Sequence, residues 1–303
     1  LLSLLLKEGN SQFMPSCCFY PRSALFVPAA NARAMAKTGG LAMDTVIFDL
    51  EDSVSENTKP AARENLSAFF NAHATAAFFR VIRINALSHP EGAADLELVR
   101  RLQPDAILLP KAEEPEIMNR VMGMLCLPEK TRPALWAMIE TPKGILHAAA
   151  IAAHPAVTTL VAGPNDIVAA TDITAGKDRQ NLHPWLMQIV LAAKTSQCCV
   201  LDGVYNNFRD VPGFAEECRQ AAHMGFDGKT LIHPGQIEAA NAAFLPSEEA
   251  ITHARAIVAA FREPQNAEKG VISLNGQMVE RLHLSKAQKL LQKRGQTREK
   301  GAT

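Results

Sequence analysis

From Ala24 onward, short apolar runs alternate with helix-length stretches of mixed polarity. The runs predict strands over residues 24–27, 45–49, 78–84, 106–109, 135–140, 158–161, 199–201 and 229–232. Most are continuous apolar blocks, as expected of strands covered on both faces in a parallel sheet. Between them, residues 59–73, 93–102, 114–126, 144–153, 183–196 and 214–224 read as helices. Pro142 suits the first turn of a helix, and Asp166 and Asp210 are candidate N-caps.

Repeated strand–helix units imply a parallel sheet with helical cover. Eight such units in roughly 220 residues suit an α/β fold of the (β/α)8 TIM-barrel type. An open doubly wound sheet would place a glycine-rich phosphate turn after the first strand. Here that position reads Val27-Pro28-Ala29-Ala30-Asn31, so the barrel is preferred. Beyond Phe261 the pattern changes to a polar linker over 262–270, a short apolar run at 271–274 and the turn pair Asn275-Gly276. An amphipathic helix over about 285–293 and a basic tail follow. The expected organisation is a leader over 1–20, a catalytic barrel over 21–263, and a linker with a C-terminal lid or subunit-contact segment over 264–303. That segment is too small to bury a core of its own, so it must pack on the barrel or on a neighbouring subunit.

Bulk properties narrow the function. The net charge is zero and the pI about 7.3, which argues against nucleic acid or an anionic membrane as the main partner. The six cysteines include the adjacent pairs Cys17-Cys18 and Cys198-Cys199 and no CxxC spacing. A reduced, cytoplasmic protein is expected rather than a disulfide scaffold or a zinc site. The apolar start, Leu1 to Leu6, is too short to span a bilayer, and Met14 is a candidate initiator.

The strand ends carry the chemistry. In a barrel of this type, reactive groups gather at the C-terminal ends of the strands. In order these ends offer Pro28 and Asn31, then Asp49, Glu51 and Asp52, then Arg83, Asn85, Lys111, Glu140, Asp166, Asp202, Tyr205 and His233. Acids dominate without a Cys or His cluster, a donor set for Mg²⁺ or Mn²⁺ rather than zinc. Mg²⁺ takes one or two protein carboxylates and keeps other oxygens around it. Glu140 and Asp166, each following an apolar run, are the expected pair. Taken singly, each residue has a plainer explanation. Asp166 could cap a helix, Asp49 could be a buried acid paired with Arg83, Lys111 could close the rim, and His233 before Pro234 could be a hydrogen-bonding group. Their convergence at one end carries the argument.

These residues also form motifs in a recognisable order. They are Arg22-Ser23-Ala24-Leu25-Phe26-Val27-Pro28, Val46-Ile47-Phe48-Asp49-Leu50-Glu51-Asp52-Ser53-Val54 and Lys59-Pro60-Ala61-Ala62-Arg63. Val81-Ile82-Arg83-Ile84-Asn85, Ile139-Glu140-Thr141-Pro142 and Gly163-Pro164-Asn165-Asp166 follow, then Gly225-Phe226-Asp227-Gly228-Lys229 and Ile232-His233-Pro234. Over residues 21–295 the chain resembles the citrate lyase β-subunit-like proteins of the HpcH/HpaI aldolase superfamily. The resemblance implies a Mg²⁺-dependent lyase that cleaves a 3-hydroxyacyl thioester into an acetyl thioester and a 2-oxo acid. It implies a homo-oligomer, a trimer, whose C-terminal segment covers a neighbour's site. Glu140 and Asp166 would then be metal ligands, with Glu140 also facing substrate. Glu51 and Asp52 would hold metal-bound water next to the substrate, and Arg83 would bind the thioester or oxo-acid oxygens. Arg22 and Lys37 are candidate partners for the phosphates of coenzyme A, with a solvated surface charge as the plainer reading of each. The covering segment departs from the family pattern, reading Met278-Val279-Glu280-Arg281-Leu282-His283. Glu280 stands where relatives carry the acid–base aspartate, and Leu282 where they carry proline. The implied reaction is cleavage of (S)-citramalyl-CoA to acetyl-CoA and pyruvate. The alternatives are a malyl-CoA lyase, a citrate lyase β subunit working on an acyl carrier protein thioester, and an inactive barrel kept as a scaffold.

Overall fold

The computed structural model describes residues 19–73 and 76–296, so the expected leader falls outside the described residues except for Phe19 and Tyr20. Eight parallel strands form a closed barrel in sequence order. They are β1 (Ser23–Pro28), β2 (Thr45–Asp49), β3 (Phe79–Arg83), β4 (Ala106–Leu109), β5 (Ala134–Ile139), β6 (Val157–Ala162), β7 (Cys199–Asp202) and β8 (Gly228–Leu231). Closure comes from β1 pairing with β8, in the register Ser23↔Lys229 to Leu25↔Leu231. The helices between strands are α1 (Ala32–Lys37), α2 (Lys59–Ala72), α3 (Gly92–Leu102), α4 (Glu116–Leu125), α5 (Pro142–Ala152), α6 (Pro164–Thr171), α7 (His183–Thr195) and α8 (Val211–Met224). Beyond the barrel lie α9 (Ile237–Ala243), α10 (Glu248–Arg262), the antiparallel hairpin β9 (Val271–Leu274) and β10 (Gln277–Glu280), and α11 (Arg281–Gln296).

The continuous apolar strands serve two cores at once. Ile47, Val81, Leu108, Trp136, Met138, Val161 and Leu201 fill the barrel interior, with Phe26 and Phe79 packed against them. Their neighbours Val46, Phe48, Ile82, Ile107, Leu160 and Val200 face outward into a larger core shared with the helices. Side chains alternate across a strand. Asp49 therefore points inward after Ile47, Arg83 after Val81, and Glu140 after Met138. That periodicity brings three charged groups together inside the C-terminal end of the barrel.

Local chemistry sets the helix starts. Thr141 caps α5 by accepting from the Gly144 N–H, with Pro142 at the first helical position, and Asp210 caps α8 through the Gly213 N–H. Asp166 does not cap. Gly163 is the N-cap of α6, and Asp166 sits in the first turn, leaving its carboxylate for other work. The hairpin turn is Asn275-Gly276, both with positive φ, as a tight two-residue connection demands. Its helix begins at Arg281, earlier than the amphipathic pattern predicts.

The C-terminal segment packs on its own chain. Ile272, Val279 and Ala287 join Ala254, Ile257, Val258 and Phe261 of α10 in a separate apolar cluster. At the far end of α11, Lys293 pairs with buried Asp227, which Lys194 also holds at 2.8 Å, and Arg294 pairs with Glu248. Asp227 lies just before β8, so this anchor sits at the end of the barrel opposite the rim of acids. Among the described residues, no helix is long and apolar enough to cross a membrane.

Candidate active site

Arg83 organises the rim. Its Nε and Nη2 each donate to one oxygen of Asp49 at 2.6 Å, and its guanidinium lies over the Phe26 ring. Nη1 turns toward the opening, 2.9 Å from Glu51 Oε2 and 3.4 Å from Asp52 Oδ2. The expected Asp49–Arg83 pairing is therefore present. Burial works to raise the Asp49 carboxyl, but the Arg83 hydrogen bonds and charge hold it below the ordinary range. Asp49 also accepts from the Glu51 and Ser53 N–H groups, fixing the turn that presents Glu51. Lys59 braces this turn from below, because its buried Nζ donates to the Leu50 and Glu51 carbonyls and to Asn85 Oδ1.

Glu140 faces Glu51 across the opening. One of its oxygens accepts the Lys111 N–H at 2.7 Å, whereas the other, Oε2, is buried and has no hydrogen-bond partner. Burial, and then the nearby charge of Asp166, raise the Glu140 carboxyl to about 8. Burial likewise raises Glu51 to about 7, against the pull of Arg83 and with Asp52 and Asp49 adding to the rise. A buried carboxylate with a bare oxygen beside a second acid is unfavourable until positive charge joins it. Oxygen donors of this kind match a hard divalent cation such as Mg²⁺. Among the described residues, no three His, Cys, Asp or Glu side chains converge as a metal cage. The arrangement thus suits an ion that keeps water or substrate oxygens in its remaining positions. Glu140 and Asp166 fit as its two protein donors.

Several rim residues act in ways the sequence did not reveal. Lys111 contributes its backbone N–H to Glu140 from a left-handed conformation, φ 46°, while its Nζ lies 4.0 Å from Glu51 Oε1. Nothing in hydrophobic patterning marks such an amide. Lys59 carried one faint signal: a lysine opening a helix opposes the helix dipole and needs a compensating partner. His233 plays the plainer part. Its Nδ1 accepts from the Gly235 N–H, and Gln236 caps back onto the Ile232 and His233 N–H groups.

Four expected residues are not brought to the rim. Arg22 stands before β1, at the opposite end of the barrel, where Asp44 holds its Nε at 2.8 Å and its Nη2 at 2.7 Å. Its charge is paired with Asp44 there, so it is not among the groups at the C-terminal rim. Lys37 is exposed at the last turn of α1, away from the acids. Glu280 ends β10, and no hydrogen bond or ion pair among the described residues connects it to Glu140, Asp166 or Arg83. Asp202, also expected at the rim, turns outward. It lies between Lys229 Nζ at 2.5 Å and Arg179 Nη1 at 2.7 Å, with Glu217 completing a buried network beneath α8.

A closed eight-stranded barrel whose C-terminal rim gathers two acids and a buried arginine has the layout of a (β/α)8 enzyme site with room for a divalent cation. The chain belongs to the HpcH/HpaI aldolase/citrate lyase family of carbon–carbon lyases, whose model matches residues 22–234. It is 41% identical over 272 residues to a (3S)-malyl-CoA thioesterase of Cereibacter sphaeroides, covering 90% of this chain and 94% of that one. It is 32% identical over 299 residues to the mitochondrial citramalyl-CoA lyase of Rattus norvegicus, covering 93% and 87%. Among solved structures it resembles CitE from Mycobacterium tuberculosis in complex with magnesium, acetoacetate and coenzyme A. The TM-score is 0.72 at 32% identity, with 90% of this chain and 97% of that one covered.

Proposed function

We propose that this chain is a Mg²⁺-dependent lyase of short 3-hydroxyacyl-CoA thioesters that carry a carboxylate, with Mn²⁺ as a substitute metal. The first candidate reaction is citramalyl-CoA to acetyl-CoA and pyruvate, and the second is the matching cleavage of malyl-CoA. The observation that carries this reading is the bare, buried Oε2 of Glu140 beside Asp166, on the rim that Arg83 closes. Magnesium and coenzyme A bound together in the CitE structure support the cofactor and the thioester handle.

Retro-aldol cleavage needs three things: removal of the hydroxyl proton, polarisation of the developing 2-oxo group, and stabilisation of the departing thioester enolate. A bound Mg²⁺ supplies Lewis-acid polarisation. Glu140 and Asp166 would hold that ion, and Glu51 and Asp52 would orient the water beside it. Arg83, through Nη1, faces the enolate oxygen. Glu280 of a neighbouring subunit takes the hydroxyl proton, the carbon–carbon bond electrons pass to the thioester enolate, and the returned proton completes the acetyl thioester. This assignment calls for a homo-oligomer, with a trimer expected, because no hydrogen bond or ion pair among the described residues joins Glu280 to the rim of its own chain. Lys37 remains a candidate for the coenzyme A phosphates. Cys126 and Cys218 carry free thiols, in keeping with a reducing, cytoplasmic setting.

A second reading is thioester hydrolysis, favoured by the higher identity to the (3S)-malyl-CoA thioesterase than to the citramalyl-CoA lyase. Products separate the two. Purified protein with Mg²⁺ would be offered citramalyl-, malyl- and citryl-thioesters of coenzyme A and of an acyl carrier protein. A lyase yields a 2-oxo acid and acetyl thioester without free thiol, whereas a hydrolase yields free thiol and the hydroxy acid. Absence of any oxo acid across the panel would exclude the lyase reading, and turnover confined to carrier-protein thioesters would indicate a citrate lyase β subunit.

A further inference from the structure

The ends of β5, β6 and β7 meet at backbone contact through two glycines. A Cβ added at Gly163 would lie 2.4 Å from Glu140 Cβ and 2.8 Å from its Oε2, so only glycine lets β6 nest against that acid. One strand further, a Cβ at Gly203 would lie 2.0 Å from Pro164 Cδ and 2.8 Å from the Ala162 carbonyl oxygen. The backbone leaving β7 therefore rests on the first turn of α6, the turn that carries Asp166. The same contact is closed from the solvent side by a reciprocal amide pair. Asn165 Nδ2 donates to Asn206 Oδ1 at 3.2 Å, and Asn206 Nδ2 donates back at 2.8 Å. The segment bearing Gly203 and Asn206 is itself pinned to the next strand. Thr230 Oγ1 donates to the Asp202 carbonyl at 3.0 Å, and Gln236 Nε2 donates to the Tyr205 carbonyl at 3.0 Å.

We propose that Gly203 and Asn206 are positioning residues for Asp166: the β7–α8 connection, which supplies no candidate ligand, sets where the metal-binding carboxylate sits. The inference rests on Glu140 and Asp166 being the cation pair. Proline is what makes the contact effective. Its ring fixes φ at the first position of α6, so a push on Pro164 Cδ moves the whole turn rather than one side chain. Mg²⁺ tolerates little such movement, because it demands near-octahedral oxygens at about 2.0–2.1 Å. Groups that orient metal ligands typically contribute 10–100-fold to metal affinity.

The test is calorimetric titration of Mg²⁺ into the full-length protein without substrate, alongside melting temperatures measured without metal. Gly203→Ala is expected to raise the Mg²⁺ dissociation constant by about 10–100-fold. Asn206→Ala and Asn165→Ala should each raise it several-fold. The double variant should be no worse than either single one, because both remove one shared contact. Gly123→Ala, where an added Cβ meets nothing within 4 Å, should bind like wild type. If Gly203→Ala does not fold, the asparagine cycle carries the test alone. Folded variants that bind Mg²⁺ within about twofold of wild type, even with lowered melting temperatures, would show a merely structural contact and overturn the inference. Wild-type protein that binds no Mg²⁺ would instead remove the cation reading beneath it.

Discussion

Arg83 concentrates the chemistry of the rim, since one guanidinium ties down Asp49 and still presents Nη1 to the opening. Arg83→Ala should lower kcat by about 10²–10³-fold if Nη1 acts as an oxyanion donor. Steady-state kinetics at saturating Mg²⁺ would check this, and near-wild-type turnover would end that role. Glu140 and Glu51 give a prediction about pH. Both carboxyls lie above the ordinary value of 4.5, at about 8 and about 7. Between about pH 4.5 and 8 the folded, metal-free protein therefore holds more protons than the unfolded chain, and stability falls as pH rises through that window. Urea denaturation in chelator from about pH 5 to 8 should show the decline, and Glu140→Gln should flatten it; a flat wild-type profile would contradict the assignment. The acids of the site were legible in the sequence because charge at the end of an apolar strand is conspicuous. The Lys111 amide and the bare oxygen of Glu140 were not, because they depend on backbone conformation and burial. Nor was the pairing of Arg22 with Asp44, which joins two residues that precede neighbouring strands at the opposite end of the barrel.

At the scale of elements, hydrophobic period did most of the specifying. The strand expected over 106–109 is β4, and the one expected over 45–49 is β2, because continuous apolar blocks bounded by polar residues leave little freedom in register. Helix starts shifted where a cap or proline preceded the amphipathic stretch, as at Thr141-Pro142 and Asp210. What the pattern could not show is which charges turn outward. Asp202 and Lys229 share the parity of Val200 and Leu231, and so face α8 rather than the opening. Their network with Arg179 and Glu217 welds β7, β8, α8 and the connection before α7 into one unit. Asp202→Asn leaves Lys229 and Arg179 buried with too little negative charge, and should destabilise the fold by roughly 3–5 kcal/mol. Chemical denaturation would read this loss. Because Asp202 lies outside the barrel interior, Mg²⁺ affinity of the remaining folded protein should hold, which separates the welding role from a ligand role. A destabilisation below about 1 kcal/mol would mean that water satisfies the two cations instead.

At the scale of the molecule, no hydrogen bond or ion pair among the described residues joins the expected acid–base group to the site of its own chain. Glu280 sits on a hairpin fastened to α10, while α11 is tied by Lys293 to Asp227 at the end of the barrel away from the rim. Met278 on the hairpin and Leu282 at the start of α11 are well exposed on either side of Glu280, an apolar border suited to lying on another protein surface. If that surface is the rim of a second copy, each active site draws its barrel from one subunit and its glutamate from the next. Two inactive variants should then rescue each other. Arg83→Ala subunits keep a competent Glu280, and Glu280→Gln subunits keep a competent barrel. Dissociating the two, mixing them in equal amounts and reassembling them should restore about one quarter of wild-type activity, since half the barrels and half the lids are intact and combine independently in a cyclic assembly. Native mass spectrometry would confirm that mixed oligomers formed. Mixed oligomers without recovered activity would place both residues in the same subunit's site, and a fully active monomer would do so more directly.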